Sequence, residues 1–158
     1  MENFAEQVGE ALNKEKYERV LMDLRYNTGG SDGVIRPLLT MLGERLEKKE
    51  IKLEVLIGEN TFSSAVINTV MLKEIGATMI GMPTGGSVDH YGAVSDFELP
   101  NSKIIIQYST KYCELSKICK SVKRFGQSTF IPDVEVEQTI SDYMQGKDTV
   151  VEACLAEG

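Results

Sequence analysis

The chain has 158 residues, of which 42% are hydrophobic and 26% are charged, and its formal net charge is −7. This length and composition predict one folded domain over residues 1–158. The acidic balance argues against nucleic-acid binding, and no apolar run approaches the roughly 20 residues of a membrane-spanning helix. The acidic, amphipathic start of the sequence does not have the pattern of a signal peptide.

Helices and strands are predicted to alternate in the first half of the chain. The apolar residues recur at helical spacing in some segments and as short runs in others, which predicts a parallel sheet covered by helices. The predicted helices span residues 3–14 and 34–49 and a segment from Ser63 to Ile75, and the predicted strands span residues 18–26, 52–59 and 77–82.

The second half is richer in predicted β structure. A glycine-rich loop over residues 83–92 precedes two strands, over 93–100 and 103–112, which are expected to pair antiparallel. Residues 120–133 are polar and loop-like. A helix over residues 148–157 closes the chain, with Asp148 as its N-cap.

Three cysteines and one histidine provide neither a disulfide framework nor the spacing of a zinc site. Cys113 and Cys119 could meet across a turn, but reduced thiols are expected in a chain that carries no export signal. We therefore expect no structural metal, and we expect no cofactor.

Three turns rich in glycine or serine follow the first three predicted strands: DLRYNTGGSDG, GENTFSSA and GMPTGGSVDH. Ligand sites of open parallel sheets form at the edge where the strands end, so these turns could meet there. Glycine pairs allow backbone N–H groups to face a cleft, and a serine at a helix N-terminus lies among donors that favour an anion. The three turns could together form a nucleophile with an oxyanion hole.

Each of these features also has a simpler interpretation. Ser63 and Ser64 could merely cap the helix that follows them, because serine hydroxyls satisfy the first N–H groups of a helix. Each glycine pair could serve only to form its turn. The glycine spacing matches neither a P-loop nor a dinucleotide-binding fingerprint, so a nucleotide site is poorly supported.

Five motifs in a fixed order are more specific than any one of them. They are DLRYNTGG, TFSSAVI with LKEIGA, GMPTGG, YG followed by LPNS, and PDVEVE, and the match to which they belong extends from about residue 4 to about residue 156. This order closely resembles the tail-specific, or C-terminal processing, serine peptidases, in particular the branch of the tricorn core and the retinoid-binding-protein modules. The resemblance implies an α/β fold of the Clp-protease/crotonase type, a spiral of strand–strand–helix units with a mostly parallel sheet. It also implies part of a peptidase catalytic domain, without a PDZ domain.

The resemblance also implies the roles of individual residues. The nucleophile of the family lies 13 residues before the glycine that ends the helix, and counting back from Gly76 gives Ser63. The N–H of Ser64 and the turn at Gly29 and Gly30 would then form the oxyanion hole. The loop that lines the substrate would contain Thr84, Gly85, Gly86 and Ser87.

The general base is not given by the resemblance. The processing peptidases use a lysine where this chain has Ser87, and the tricorn-like branch uses a histidine in an upstream Asp-Gly-His-Thr stretch that this sequence lacks. His90 is the remaining candidate, with Asp89 as a residue that could orient it, although a loop histidine could equally bind substrate or face water. Three acidic residues are open as a third member of the site: Glu59, Glu74 and Asp133.

Three hypotheses about function follow. The chain is an active serine endopeptidase, which binds an extended polypeptide as a strand and forms an acyl-enzyme on Ser63 without a cofactor. Alternatively, it is an inactive or truncated relative that binds peptides or forms homo-oligomers through uncovered apolar surface. A weaker third hypothesis is an oxyanion hole that acts on a thioester.

The location of the protein would be cytoplasmic if Met1 is the natural start, and could be extracytoplasmic if the chain is part of a longer exported protein.

Overall fold

The first half of the chain folds as alternating helices and strands, as its apolar pattern predicts. The computed structural model describes residues 2–156. The elements of the first half are α1 (Glu2–Lys14), β1 (Arg19–Asp23), α2 (Arg36–Glu47), β2 (Lys52–Ile57), α3 (Ser64–Glu74) and β3 (Thr78–Gly81). A short 3-10 turn over Asp32–Ile35 leads into α2, whose first turn contains Pro37, a position that suits proline.

The second half contains three short elements that the sequence pattern did not predict. Its elements are β4 (Asp89–Glu98), β5 (Ile105–Glu114), α4 (Leu115–Ile118), β6 (Val134–Glu135), α5 (Ile140–Met144) and α6 (Thr149–Ala156). The unpredicted α4, α5 and β6 have at most five residues each, too few to display a period. Residue 157 of the predicted last helix lies outside the described residues.

Four parallel strands form the main sheet in the order β1-β2-β3-β6. β2 is buried from Leu53 to Ile57, because helices cover both of its faces. One face belongs to the larger core, which contains Val55, Leu42 and Val70. The other face packs Leu56 and Ile80 against α6. The predicted α/β fold with a mostly parallel sheet is confirmed.

Helix α3 is buried on more sides than its predicted apolar face requires. The sequence places that face at positions 66, 67, 70, 71 and 75, but Asn68, Thr69 and Leu72 are also buried. The reason is that α3 packs between the sheet and the two 3-10 turns at Asp32–Ile35 and Lys120–Val122. Polar residues of α3 are therefore enclosed by protein.

Strands β4 and β5 pair antiparallel as a long two-stranded ribbon, as predicted. β4 begins at Asp89, inside the segment predicted to be a loop, because its first residues pair with the end of β5. Cross-strand partners share a face, so Phe97 and Ile106 lie on the same side as Tyr91 and Tyr108. These four side chains are all exposed, and the ribbon therefore presents an apolar face to solvent.

No disulfide joins the three cysteines, all of which lie within the described residues. Cys113 and Cys119, which could have met across a turn, are both unbridged. Burial raises the pKa of the Cys119 thiol, and the nearby charge of Glu74 adds to this effect. Within residues 2–156, the helices are too short or too polar to cross a membrane.

Arg25 connects the end of β1 to the start of α6. Its guanidinium donates to Asp23 at 2.7 Å and to both carboxylate oxygens of Asp148 at 2.9 and 2.7 Å. Asp148 also accepts hydrogen bonds from the N–H groups of Val150 and Val151, which confirms that it is the N-cap of α6. The bonds and charge of Arg25 lower the pKa of Asp148, and they lower that of Asp23 although its burial acts in the opposite direction.

This ion pair predicts a stability that depends on pH. Because the folded-state pKa of Asp148 lies below its unfolded value, its contribution is present at pH 7 and disappears as the pH falls through the folded pKa. Asp148→Asn keeps a capping oxygen but removes the charge. We expect it to lower the free energy of unfolding at pH 7 by at most about 1 kcal/mol, since the pair is partly exposed.

Urea unfolding followed by circular dichroism at pH 7 and at pH 2.5 measures this effect. The difference between Asp148→Asn and the unaltered protein should shrink at the lower pH. Asp96→Asn, on the ribbon, is the matched control and should change little at either pH. If Asp148→Asn lowered the free energy of unfolding equally at both pH values, the contribution would not come from the charge of Asp148.

Candidate active site

Ser63 has an unusual backbone conformation. Its φ of 52° and ψ of −126° place a residue with a side chain in a region that normally favours glycine. Such a conformation costs about 1–3 kcal/mol and persists only where the surroundings impose it. Ser63 is the last of the six residues that connect β2 to α3, and it directly precedes the helix.

The hydroxyl of Ser63 does not cap α3. Ser63 occupies the N-cap position, but its side chain makes no capping hydrogen bond. The turn is closed by backbone bonds instead, from the N–H of Val66 to the carbonyl of Ser63 at 2.9 Å and from Ala65 to Phe62 at 3.0 Å. The capping interpretation is therefore wrong for Ser63, whose hydroxyl has no hydrogen-bond partner among residues 2–156.

Gly29 packs directly against Ser63. A Cβ on Gly29 would lie 2.8 Å from the Ser63 Cβ, which is closer than real Cβ atoms come, and 3.2 Å from its Oγ, which is a tight contact. Gly29 also has a φ of 114°, in the left-handed region that favours glycine. Only a glycine fits here, so the turn after β1 and the turn after β2 meet at this contact.

Two of the three predicted oxyanion donors have an unengaged N–H group. Within the described chain, neither the Ser64 N–H nor the Gly30 N–H has a hydrogen-bond acceptor. The N–H of Gly29, in contrast, donates to Oδ1 of Asn27 at 3.0 Å. Gly29 thus provides space for Ser63, while the groups that could receive an oxyanion are those of Ser64 and Gly30.

The loop with the second glycine pair also contacts the Ser63 turn. A Cβ on Gly85 would lie 2.0 Å from the carbonyl oxygen of Glu59, and one on Gly86 would lie 3.5 Å from the Ser63 nitrogen. Thr84 is buried, and its hydroxyl bonds to the Gly86 carbonyl at 2.7 Å and accepts from the N–H of Phe130. Ser87 continues this loop and is half-buried.

Thr61 joins all three turns, and the sequence interpretation did not include it. Its buried hydroxyl donates to the Leu24 carbonyl at 2.9 Å and accepts from the Gly58 N–H at 3.0 Å. Its carbonyl accepts from the N–H groups of Gly85 and Gly86 at 3.1 and 3.3 Å. The sequence signal that could have indicated this role is the position of Thr61, a threonine two residues before the candidate nucleophile.

His90 lies at the start of β4 rather than on a loop. Its Nδ1 is 2.9 Å from the Ser87 carbonyl oxygen and 3.2 Å from that of Val88. Because carbonyl oxygens only accept, this geometry favours the tautomer with hydrogen on Nδ1 and a lone pair on Nε2. Within residues 2–156, no hydrogen bond joins His90 to Ser63.

Asp89 does not orient His90, contrary to the sequence interpretation. Its carboxylate accepts from the backbone N–H of Ser116 at 2.9 Å and from the hydroxyl of the same residue. The reason is that successive side chains of a strand point to opposite faces. Backbone carbonyls hold the imidazole instead.

Two of the three acidic residues left open have structural partners. Asp133 pairs with Lys73 at 2.8 Å and accepts from the N–H of Met79 at 2.7 Å. Glu74 accepts hydrogen bonds from Ser121. Glu59 is exposed on the loop after β2, and its backbone carbonyl packs against Gly85.

A cavity of about 550 Å³ opens beside the Ser63 turn. It runs along β1 and is bounded by α1, α2 and α3. Gly29, Ser64 and Asn68 contribute to its lining, together with apolar residues such as Leu38 and Leu42. The lining thus includes Ser64, which follows the candidate nucleophile, and Gly29, which packs against it, so the cavity lies next to Ser63 and could hold part of a substrate.

Comparison with known proteins gives similar solved structures but no match in sequence. No family model matches the chain, and no curated protein matches its sequence. The structure is similar to that of the tricorn protease, with a TM-score of 0.64 and 16% identity over 99% of this chain and 18% of that chain. It is also similar to a candidate S41 protease from Bacteroides fragilis NCTC 9343, with a TM-score of 0.53 and 18% identity over 90% of this chain and 44% of that one.

The chain has the S41 protease fold. This result confirms, at the level of the fold, the resemblance that the five motifs indicate. The chain spans less than half the length of either solved protein.

The strained backbone predicts that glycine at position 63 is more stable than alanine, the opposite of the order at an ordinary position. Ser63→Gly relieves the positive φ, whereas Ser63→Ala keeps it, and neither variant loses a hydrogen bond of the hydroxyl. We expect Ser63→Gly to be the more stable of the two by about 1 kcal/mol, because the relief exceeds the entropic cost of glycine.

Chemical denaturation of both variants provides the measurement. Ser109 on β5 is the control, since at an ordinary strand position the glycine variant should be less stable than the alanine variant. If Ser63→Ala were as stable as Ser63→Gly, the backbone at Ser63 would not be strained.

Proposed function

We propose that this chain carries the nucleophile and the oxyanion hole of a serine peptidase. The observation that supports this most directly is the backbone of Ser63, which is held in a strained conformation against Gly29 with its hydroxyl unengaged. Strain of this kind is characteristic of functional sites, because a purely structural turn would be more stable with glycine.

The proposed reaction is acyl transfer through Ser63. Its Oγ attacks the carbonyl carbon of a peptide bond while a base takes the hydroxyl proton. The oxyanion that forms accepts hydrogen bonds from the N–H groups of Ser64 and Gly30. The C–N bond then breaks, the amine leaves with the proton, and water hydrolyses the acyl-enzyme. Each oxyanion donor of this kind contributes about 10²–10³ in rate in other enzymes.

His90 is the proposed base within this chain, and a group from another chain is the alternative. In favour of His90, its Nδ1 bonds to backbone carbonyls, which leaves a lone pair on Nε2. It also follows the loop whose Gly86 approaches Ser63. Catalytic hydrogen bonds often tighten only when substrate binds, so the missing bond between His90 and Ser63 is compatible with this role.

The proposed substrate is an extended polypeptide that pairs with β1. This strand is at the edge of the described sheet, with β2 on one side only. Residues Val20 to Leu24 line the cavity, together with Gly29 and Ser64, the two lining residues next to Ser63. A peptide added to this edge would gain main-chain hydrogen bonds and bring one of its carbonyl groups towards Ser63.

The second candidate is a homo-oligomerising module without catalytic activity. The ribbon formed by β4 and β5 presents an exposed apolar face, with Phe97 and Tyr108 as close as 6.1 Å between ring centres. An exposed face of this type marks an interaction surface, and a second copy of the chain carries the same face.

Labelling with a fluorophosphonate probe, followed by mass spectrometry, tests the proposed peptidase chemistry. We expect an adduct on Ser63 that is lost in Ser63→Ala. Ser64→Ala is the matched control and should keep most of the labelling, because the proposed role of Ser64 requires only its backbone N–H. Absence of an adduct on the folded protein would favour the module without activity.

The same assay identifies the base. If His90 accepts the proton, His90→Ala should slow labelling by about 10²-fold or more, as expected for loss of a general base. Labelling at an unchanged rate would assign the proton transfer to another group.

Size-exclusion chromatography with light scattering tests the oligomer. If the apolar face of the ribbon pairs two copies, Tyr108→Ser should lower the measured mass at a given concentration. Gln107→Ser is the control, because Gln107 lies on the opposite face of the same strand. A mass that is the same for both variants would exclude this face as the interface.

A further inference from the structure

Asn68 is a buried polar residue that the proposed chemistry does not use. It is only 8% exposed, and its Oδ1 has no hydrogen-bond partner within residues 2–156. It lies on α3 one turn after Ser64, and both residues line the cavity beside Ser63. A buried amide is normally paired, because an unpaired one loses its hydration without compensation.

Among the residues that line the cavity, Asp23 alone has a charged side chain. Its walls are largely apolar, with residues such as Leu24, Leu38 and Leu42. Asp23 is the one carboxylate of the lining residues, and both of its oxygens accept hydrogen bonds from Arg25. A carboxylate placed in this cavity would lose its hydration without gaining a counter-ion, and a cation would have to compete with Arg25 for Asp23.

We propose that this cavity receives a side chain of the peptide and that Asn68 selects a primary amide, the side chain of glutamine or asparagine. This inference rests on the proposed peptidase function, since it assigns a specificity to the same site. An amide offers one acceptor and two donors, so a second amide can satisfy both ends of Asn68 reciprocally. An apolar side chain would leave Asn68 unpaired, and sites built to hydrogen-bond a ligand reject analogues that lack the bonding groups.

Binding can be measured without catalysis. Ser63→Ala protein labelled with ¹⁵N would be titrated with acetyl-Ala-Ala-Gln-N-methylamide and with the corresponding peptides that carry Asn, Leu or Glu in place of Gln, so that the only primary amide is that of the side chain. We expect the side-chain NH₂ signals of Asn68 to shift saturably with the glutamine or asparagine peptide. The leucine and glutamate peptides should bind at least about tenfold more weakly. Equal affinity for all peptides, or no binding by any of them, would overturn the inference.

Asn68→Leu provides the second test. It replaces the unpaired amide by an apolar side chain of similar size, so the protein should remain folded with an unfolding midpoint that is not lowered. The preference for the amide peptides should disappear and the leucine peptide should bind better. Asn101→Leu makes the same substitution in the exposed turn between β4 and β5 and should keep the original preference. A preference that survives Asn68→Leu would overturn the inference.

These results are separable from a failure of the proposed chemistry. Fluorophosphonate labelling reports on Ser63 alone, whereas the titration uses protein without that hydroxyl. An amide preference without labelling would support the specificity of the cavity and contradict the peptidase mechanism. Labelling without an amide preference would support the peptidase mechanism and contradict the specificity of the cavity.

Discussion

The contact between Gly29 and Ser63 determines how the candidate site is built. At 2.8 Å from the Ser63 Cβ, the position of a Gly29 Cβ leaves no room for a side chain. The two residues belong to different strand–helix connections, so the contact fixes the turn after β1 against the turn after β2. Thr61 then ties both to the loop of Gly85 and Gly86 through its hydroxyl and its carbonyl. A strained serine is maintained because three connections surround it.

Two features of the site reduce stability and have no structural compensation. The backbone of Ser63 would be more favourable as glycine, and the buried amide of Asn68 has no partner in the described chain. Natural proteins retain such costs where function requires them. Asn68 lines the cavity, and Ser63 adjoins two other lining residues, Gly29 and Ser64, which supports the proposal that this cavity is a substrate site rather than a packing fault.

Much of the fold follows from sequence because local patterns determine it. The alternation of apolar segments predicts β1 to β3 and the helices between them, and the glycine turns predict where these elements end. The short α4, α5 and β6 were not predictable, since two residues such as Val134–Glu135 form a strand only by pairing with β3. The local sequence predicts a loop at His90, because the strand that contains it forms only by pairing with the distant β5. The strain at Ser63 and the unpaired amide of Asn68 are tertiary properties that no local pattern contains.

Direct detection of an acyl-enzyme tests the central claim, that Ser63 is a nucleophile. The protein would be mixed with a peptide p-nitrophenyl ester, quenched with acid after increasing times and digested for mass spectrometry. We expect the acyl group on the fragment that contains Ser63, at Ser63 itself, and no acyl group on the same fragment of Ser63→Ala. An acyl group on another residue, or none on the folded protein, would contradict it.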